Sequence, residues 1–101
     1  MKFNAAFLFV APETDKDKHH ARIETPVADL RIVGVKNYTE AEEAARALVA
    51  DGVKAIELCA GFGNEGIARI TKAVQGKAVV GAVKFDRHPG FDFKSGDELF
   101  Q

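Results

Sequence analysis

The sequence predicts a small α/β domain with a mainly parallel sheet of four or five strands (β-β-α-β-α-β, with one further short strand possible) and two helices on one face. Short apolar runs alternate with two amphipathic runs at helical spacing, the pattern of strands joined by helical crossovers. The longer strand candidates are apolar on both parities, as expected of strands covered on both faces. A glycine-rich turn leads directly from one strand candidate into the second helix candidate.

The strand predictions rest on apolar runs bounded by turn residues. The first run is apolar on both parities except Asn4, and a polar segment, 12–20, separates it from a short edge strand that Pro26 ends. The predicted strands cover residues 3–11, 21–25, 30–35, 53–59 and 78–85.

The helix predictions rest on spacing and end signals. Thr39 and Glu42 have the spacing of a capping box, and Gly52 suits the position after a helix C-terminus. The second helix is predicted for 64–75, with Gly76 ending it. The residues expected to face the core are Ala41, Ala44, Ala45, Leu48 and Val49 in the first helix, and Ile67, Ile70 and Val74 in the second.

This arrangement leaves one face of the sheet without a helix. If the strands 30–35, 53–59 and 78–85 are neighbours in that order, right-handed crossovers place both helices on the same face. The other face then needs a cover, which could be the 12–29 segment, the tail after residue 85 with Phe91, Phe93 and Phe100, or a second copy of the chain. We favour a homodimer through the open face or an edge.

Composition bounds the class of protein. A length of 101 residues corresponds to one domain, 1–101, and 47% hydrophobic with 29% charged residues is ordinary for a globular protein. A net charge of −1 gives no electrostatic footprint for nucleic acid or an anionic membrane. A single cysteine excludes an internal disulfide framework, and the apolar start is too short for a membrane span, so we expect a cytoplasmic protein.

The most informative segment is the glycine-rich turn after strand 53–59. Gly61, Gly63 and Gly66 have the G-x-G-x-x-G spacing between a strand and a helix, where backbone amides and the helix dipole attract anions. The simpler alternative is a tight turn that needs glycine for close packing. We predict a site for a small anionic metabolite at 57–66, with ligand-binding residues Cys59, Gly61, Gly63, Asn64, Gly66 and Asp86.

Two cofactor sites share this pattern. Asp86 follows Gly66 by 20 residues, the position of the acidic residue that binds ribose in dinucleotide sites. The stretch from Glu57 to Gly63 resembles the first motif of S-adenosylmethionine-dependent methyltransferases, which implies that Gly61 and Gly63 face a cofactor. Only 15 residues follow Asp86, too few for either enzyme, so we assign no cofactor.

Several polar side chains are candidates for chemistry. Glu57 and Lys84 interrupt apolar strands and could meet near the carboxyl ends of the sheet as an acid–base pair, with His88 as a proton carrier. They could equally form a structural ion pair or extend to solvent. We take Glu57, Lys84 and His88 as the catalytic candidates.

Two further groups give weaker signals. Cys59 lies close to a helix N-terminus, which favours a reactive thiolate, although buried inert cysteines are commoner. His19 and His20 stand near Asp15 and Asp17, but no ligand spacing supports a metal site, and we assign none.

The stretches IETPVADLRIVGV, ELCAGFGNEG and AVVGAVKFDRHPGF resemble a family of small bacterial proteins of about 100 residues with no assigned function. The resemblance spans Phe3 to Phe100 and implies a free-standing α/β protein. It supplies no catalytic residues.

Three functions therefore stay open. The first is a binding module for a small anionic metabolite at 57–66. The second is a small enzyme that uses Glu57, Lys84 and His88 in a pocket completed by a dimer mate. The third is a structural or regulatory subunit without a ligand.

Overall fold

A computed structural model describes residues 2–101, which form one five-stranded sheet and a helical layer. The two main helices cover the same face of the sheet, one packed against the other. In chain order the elements are β1 Phe3–Val10, β2 His20–Glu24, β3 Ala28–Val35, α1 Tyr38–Ala50, β4 Ala55–Leu58, α2 Asn64–Ala73, β5 Val79–Ala82, a 3₁₀ helix Pro89–Phe91 and α3 Gly96–Leu99.

The strand order across the sheet is β2-β3-β1-β4-β5. β1 pairs in parallel with both β3 and β4, β4 pairs in parallel with β5, and β2 is an antiparallel edge strand. The mainly parallel α/β fold is confirmed. The assumption that 30–35 and 53–59 are direct neighbours is wrong, because β1 lies between them. Its backbone is paired on both sides, and the crossover through α1 passes over it.

The core lies between the sheet and the two main helices. β1 contributes alternate residues to it, because successive side chains of a strand point to opposite faces. The helical residues follow the predicted spacing, and Ile70 of α2 is fully buried. The buried core includes Ala6, Leu8 and Val10 of β1, Ala41, Ala44, Ala45 and Leu48 of α1, and Ile56 and Leu58 of β4.

The N-terminus of α1 differs from the prediction. The cap is Asn37, whose side-chain oxygen accepts the Glu40 N–H at 2.9 Å, and the helix begins at Tyr38. Asn37 and Glu40 have the same three-residue spacing as Thr39 and Glu42, so the spacing alone does not distinguish the two starts. Gly52 has a φ of +97°, as its predicted position after the helix requires.

The last strand is shorter than predicted. The β5 ladder ends at Ala82, although the Val83 N–H still donates to the Leu58 carbonyl at 3.1 Å. Residues 84–87 leave the sheet and are exposed. Because β4 also ends at Leu58, no paired strand is left to extend β5 further.

The tail packs at the helical side of the molecule, with one exception. Phe100 is buried against Tyr38 and Phe91, with ring centroids 6.4 and 5.2 Å apart. Phe93 is 64% exposed, so unlike Phe91 and Phe100 it does not hold the tail in place, and the expectation that it covers part of the protein is wrong. Asp92 and Phe93 both have left-handed backbone conformations, and this turn carries the Phe93 side chain outward.

The opposite face of the sheet, here called the open face, is not covered by any helix of residues 2–101. β2 has joined the sheet edge, and at one corner of the face the Thr14 side chain and the Phe9 ring lie close to Gly34. By alternation and register the open face is formed by Phe3, Ala5, Phe7, Phe9, Ala21, Ile23, Ala28, Leu30, Ile32, Gly34, Ala55, Glu57, Val79 and Gly81.

Candidate functional site

The glycine-rich turn runs from the end of β4 to Gly63, the residue that precedes α2. Its glycines have no positive φ angles, so they are not required for backbone conformation. They are required for space. A Cβ on Gly63 would lie 2.4 Å from the Asp97 carboxyl carbon, and one on Gly66 would lie 2.5 Å from the Tyr38 ring. The turn therefore needs glycine because other parts of the chain pack directly on it.

The N-terminus of α2 holds an anion that belongs to the chain itself. The carboxylate of Asp97 accepts the Glu65 N–H at 2.9 Å and the Gly66 N–H at 3.1 Å. These are amides of the first turn, which no carbonyl inside the helix can satisfy. A negative charge at this end also interacts favourably with the helix dipole. Asp97 thus caps α2 from another element, since Gly63 has no side chain that could do so.

Tyr38 completes this arrangement. Its hydroxyl donates to Asp97 Oδ1 at 2.8 Å and accepts the Gly63 N–H at 3.0 Å. The ring is fully buried, stacks on Phe62 at 5.6 Å, and has the Arg69 guanidinium 5.6 Å from its centroid. Burial, reinforced by the neighbouring carboxylate, raises the pKa of Tyr38 above its ordinary range, so the hydroxyl keeps the proton it donates.

The C-terminal segment closes the turn from outside. A Cβ on Gly96 would lie 1.8 Å from the Gly61 carbonyl oxygen, so the two backbones are in direct contact. Gly61, Gly63 and Gly66 are all buried, whereas Asn64 is exposed. An external anion would reach the α2 amides only if α3 moved away. The assignment of these residues to a ligand stays a prediction.

Glu57 and Cys59 lie apart from the α2 amides, at the end of β4. Glu57 is exposed on the open face, in register with Phe7 of β1 and Gly81 of β5. Cys59 is a half-buried free thiol whose sulfur accepts the Gly61 N–H at 3.3 Å. Both residues line a cavity of about 330 Å³, whose other walls come from β1 and from the end of β5.

Lys84 does not pair with Glu57. It forms an ion pair with Asp86, with Nζ and Oδ1 2.5 Å apart, and this contact lowers the pKa of the Asp86 carboxyl. Lys84 lies two residues beyond the end of β5, where the chain has left the sheet. Among residues 2–101 no hydrogen bond or ion pair joins Glu57 to Lys84.

His88 lies within the aromatic part of the tail. Its Nδ1 accepts the Gly90 N–H at 3.0 Å, and its ring lies 4.2 Å from Phe91 and 5.4 Å from Phe85. It thereby orders the 3₁₀ turn. The predicted site residues are distributed over three places: the open-face cavity, the closed glycine turn and the exposed segment 84–88. Their catalytic roles stay predictions.

Sequence reasoning missed Asp97 and Tyr38, the two side chains that organise the turn. Tyr38 and Asp97 are 59 residues apart in the chain, and no local pattern marks them as partners. The only local signal was Gly96 beside an acidic residue, which indicates close backbone approach but not the element approached.

Two features are absent from the part of the chain that the structure describes. Across residues 2–101, no group of three or more His, Cys, Asp or Glu side chains is placed to hold a metal ion. His19 instead uses its Nδ1 to accept the Asp15 N–H at 2.9 Å. No helix in the same range is long and apolar enough to cross a membrane.

The fold and the turn define a small α/β protein with an internally capped glycine-rich turn. The chain belongs to the Family of unknown function (DUF6506), whose model matches residues 3–98. The expected membership of an uncharacterised family is thereby confirmed. No curated protein and no solved structure matches the chain.

Proposed function

We propose that the chain is a structural or regulatory subunit that forms a homodimer by packing its open face against that of a second copy. The observation that carries this proposal is the apolar, uncovered sheet face. Phe3, Ile23 and Val79 are 55%, 53% and 71% exposed and lie on three different strands. Monomeric proteins rarely leave contiguous apolar patches this broad in water.

The open face is large enough to supply more than half of a standard interface. Its strands have eight, five, eight, four and four residues, which at about 3.3 Å per residue and about 4.8 Å between strands give a projected area of roughly 460 Å² before side-chain relief is added. Interfaces of standard size bury roughly 800 Å² per partner.

A second copy is the occupant that fits best. The other two candidate covers lie elsewhere. The 12–29 segment supplies the edge strand β2, and the tail packs beside α1 and α2. Among the described strand residues of the open face, Glu57 alone is charged, so the face offers no charge pattern for a charged partner. An apolar face paired with its own copy about a two-fold axis is self-complementary.

Sedimentation equilibrium tests the dimer. We expect the wild-type chain of 10.9 kDa to sediment with twice that mass, and Ile23→Lys to shift it towards the monomer. Lysine at 23 places a charge in the apolar contact, whereas the matched control Ala68→Lys changes an exposed position on α2. A monomeric wild-type protein, or equal effects of the two lysines, would contradict the proposal. Circular dichroism verifies that both variants are folded.

A second candidate function is the binding of a small anionic metabolite at the turn 57–66. The specific observation in its favour is that the α2 amides already hold a carboxylate, that of Asp97. An external anion would bind by displacing α3. A change at Gly63 is unsuitable as a test, since its side chain would collide with Asp97 and disturb the fold.

Removing the internal carboxylate gives a better test of this second candidate. Asp97→Ala should make the protein more strongly stabilised by inorganic phosphate than the wild type in a thermal-shift titration, because the amides are vacated. Glu98→Ala, an exposed neighbour, is the control. Equal phosphate responses in the two variants would exclude this candidate.

The acid–base alternative has less support. Since Lys84 is paired with Asp86, a partner chain would have to bring a second titratable group to Glu57. For the location, we propose the cytoplasm, whose reducing conditions suit a lone free thiol such as Cys59.

A further inference from the structure

The cavity beside Glu57 is a feature that dimerisation alone does not explain. It measures about 330 Å³ and opens on the open face at the carboxyl ends of β1, β4 and β5. That volume is at the lower end of the range for sites that bind small molecules. The carboxyl ends of parallel strands are also where ligands bind in open α/β sheets.

On the side of β5, no side chain stands directly beside Glu57. Glu57 is flanked in register by Phe7 on one side and by Gly81 on the other. A Cβ added at Gly81 would meet nothing within 4 Å, so the space beside the carboxylate is open. Among residues 2–101, Glu57 has no hydrogen-bond or ion-pair partner.

The walls determine the chemistry that fits. Phe7, Phe9 and Val83 supply aromatic and aliphatic surface, and Glu57 supplies the only charge in the lining. A carboxylate attracts an ammonium group through charge-assisted hydrogen bonds, and the faces of aromatic rings attract cations. An anionic ligand would be repelled by Glu57.

We infer that this cavity binds a small organic ammonium ion, with the cationic group on Glu57 and an apolar body against Phe7 and Val83. The cation site is formed by one chain and does not require a dimer. The effect of the bound cation on dimerisation deepens the proposed function and rests on it. Packing two open faces would bury Glu57, and an unpaired buried carboxylate is costly. A bound cation neutralises it and should therefore favour the dimer.

Binding is tested with benzylammonium as the probe, by chemical-shift titration of the ¹⁵N-labelled full chain. We expect saturable shifts at Phe7, Glu57 and Gly81, and affinity weaker by about tenfold or more for Glu57→Gln and for the neutral analogue benzyl alcohol. Glu65→Gln, an exposed acid at the start of α2, is the control and should bind as the wild type does.

A second variant tests the space independently of the charge. Gly81→Leu places a side chain beside Glu57 and should abolish the shifts, and the open surroundings of Gly81 make the fold tolerant of it. Equal affinity for benzyl alcohol, undiminished binding by Glu57→Gln and Gly81→Leu, or no saturable shift in the wild type would each overturn the inference.

Sedimentation of the same samples separates this inference from the proposed dimer. If both hold, benzylammonium raises the dimer fraction of the wild type but not that of Glu57→Gln. A monomeric wild type that binds the probe would keep the cation site and reject the dimer. A dimer that shows no binding would reject the cation site and keep the dimer.

Discussion

The carboxylate oxygen Oδ1 of Asp97 lies 3.1 Å from the backbone nitrogen of Gly66, although 31 residues separate the two in the chain. This contact joins the last helix to the first turn of α2, and Tyr38 extends it to α1 through its hydroxyl. Three helices therefore meet at one carboxylate. The turn for which the sequence predicts an anion holds a carboxylate of the chain itself, and this contact links the three helices.

Replacing Asp97 should destabilise the protein. Asp97→Ala removes the acceptor of the Glu65 and Gly66 amides, and we expect the free energy of unfolding to fall by about 1–3 kcal/mol. Urea denaturation measures the change. Glu98→Ala, one residue further on and exposed, should change it by less than about 0.5 kcal/mol. Similar losses in both variants would show that Asp97 is not the cap.

Gly66→Ala should also destabilise the protein, although alanine has a higher helix propensity than glycine. Alanine is better than glycine in a helix by about 1 kcal/mol, but here its Cβ would lie 2.5 Å from the buried Tyr38 ring. Overpacking of this kind costs about 1–3 kcal/mol. Thermal unfolding measures the net loss. Gly81→Ala, with open space around it, should stabilise by roughly 0.5 kcal/mol, and a stabilising Gly66→Ala would contradict the packing seen at Tyr38.

Tyr38 and Asp97 should be energetically coupled. Tyr38→Phe leaves the buried Gly63 N–H without its acceptor and removes the donor to Asp97. In a double-mutant cycle with Asp97→Ala, we expect a coupling energy of about 0.5–3 kcal/mol, since both side chains belong to one network. Denaturant unfolding of the four proteins gives the value. Simple additivity of the two single changes would mean that the network is not formed.

The contact between α1 and α2 should make stability sensitive to acid. Arg69 donates to both carboxylate oxygens of Glu42, at 3.1 and 2.9 Å, and lowers the Glu42 pKa from its ordinary value of 4.5. Because the folded-state pKa is the lower one, this contribution is present above pH 4.5 and is lost as the pH falls through the folded value.

The contribution of the ion pair is measured by comparing the free energy of unfolding of Glu42→Gln with that of the wild type. At neutral pH the variant should be less stable than the wild type by roughly 0.5 kcal/mol, as is usual for an ion pair that solvent still reaches, and the difference should vanish in acid. Urea midpoints at several pH values measure it. Glu43→Gln, the exposed neighbour, should show no such convergence. A difference that is constant with pH would exclude the ion pair as its origin.

The sequence was sufficient for the fold class because its signals are local. Short continuous apolar runs marked β1 and β3, and helical spacing marked the buried side of α1. Strand order could not be obtained in this way, since pairing of β1 with both β3 and β4 depends on long-range contacts. The predicted end of a strand was wrong where it depends on a neighbouring strand. β5 ends at Ala82 because β4 has no further residue to pair with it.

The candidate site was less predictable, for the same physical reason. The spacing of Gly61, Gly63 and Gly66 indicated close approach of other groups, and the structure has it, with Asp97 at Gly63 and the Tyr38 ring at Gly66. Binding of an external anion at this turn stays a prediction. Glu57 lies on β4, but Lys84 lies beyond the end of β5, where the chain has left the sheet, and it pairs with Asp86 instead. The open face itself followed from counting helices against sheet faces.

The position of β1 in the middle of the sheet has a consequence for how the chain folds. β1 precedes both of its partners in the chain, residues 28–35 and 55–58, and its pairing with the second of these closes a loop of some 50 residues. Such non-local pairing slows folding. Until it is complete, the segment FNAAFLFV presents an unpaired apolar edge to other nascent chains. Pulse-labelled hydrogen exchange should therefore find β1 amides protected no earlier than those of β4, and misassembly before that moment should begin at this strand.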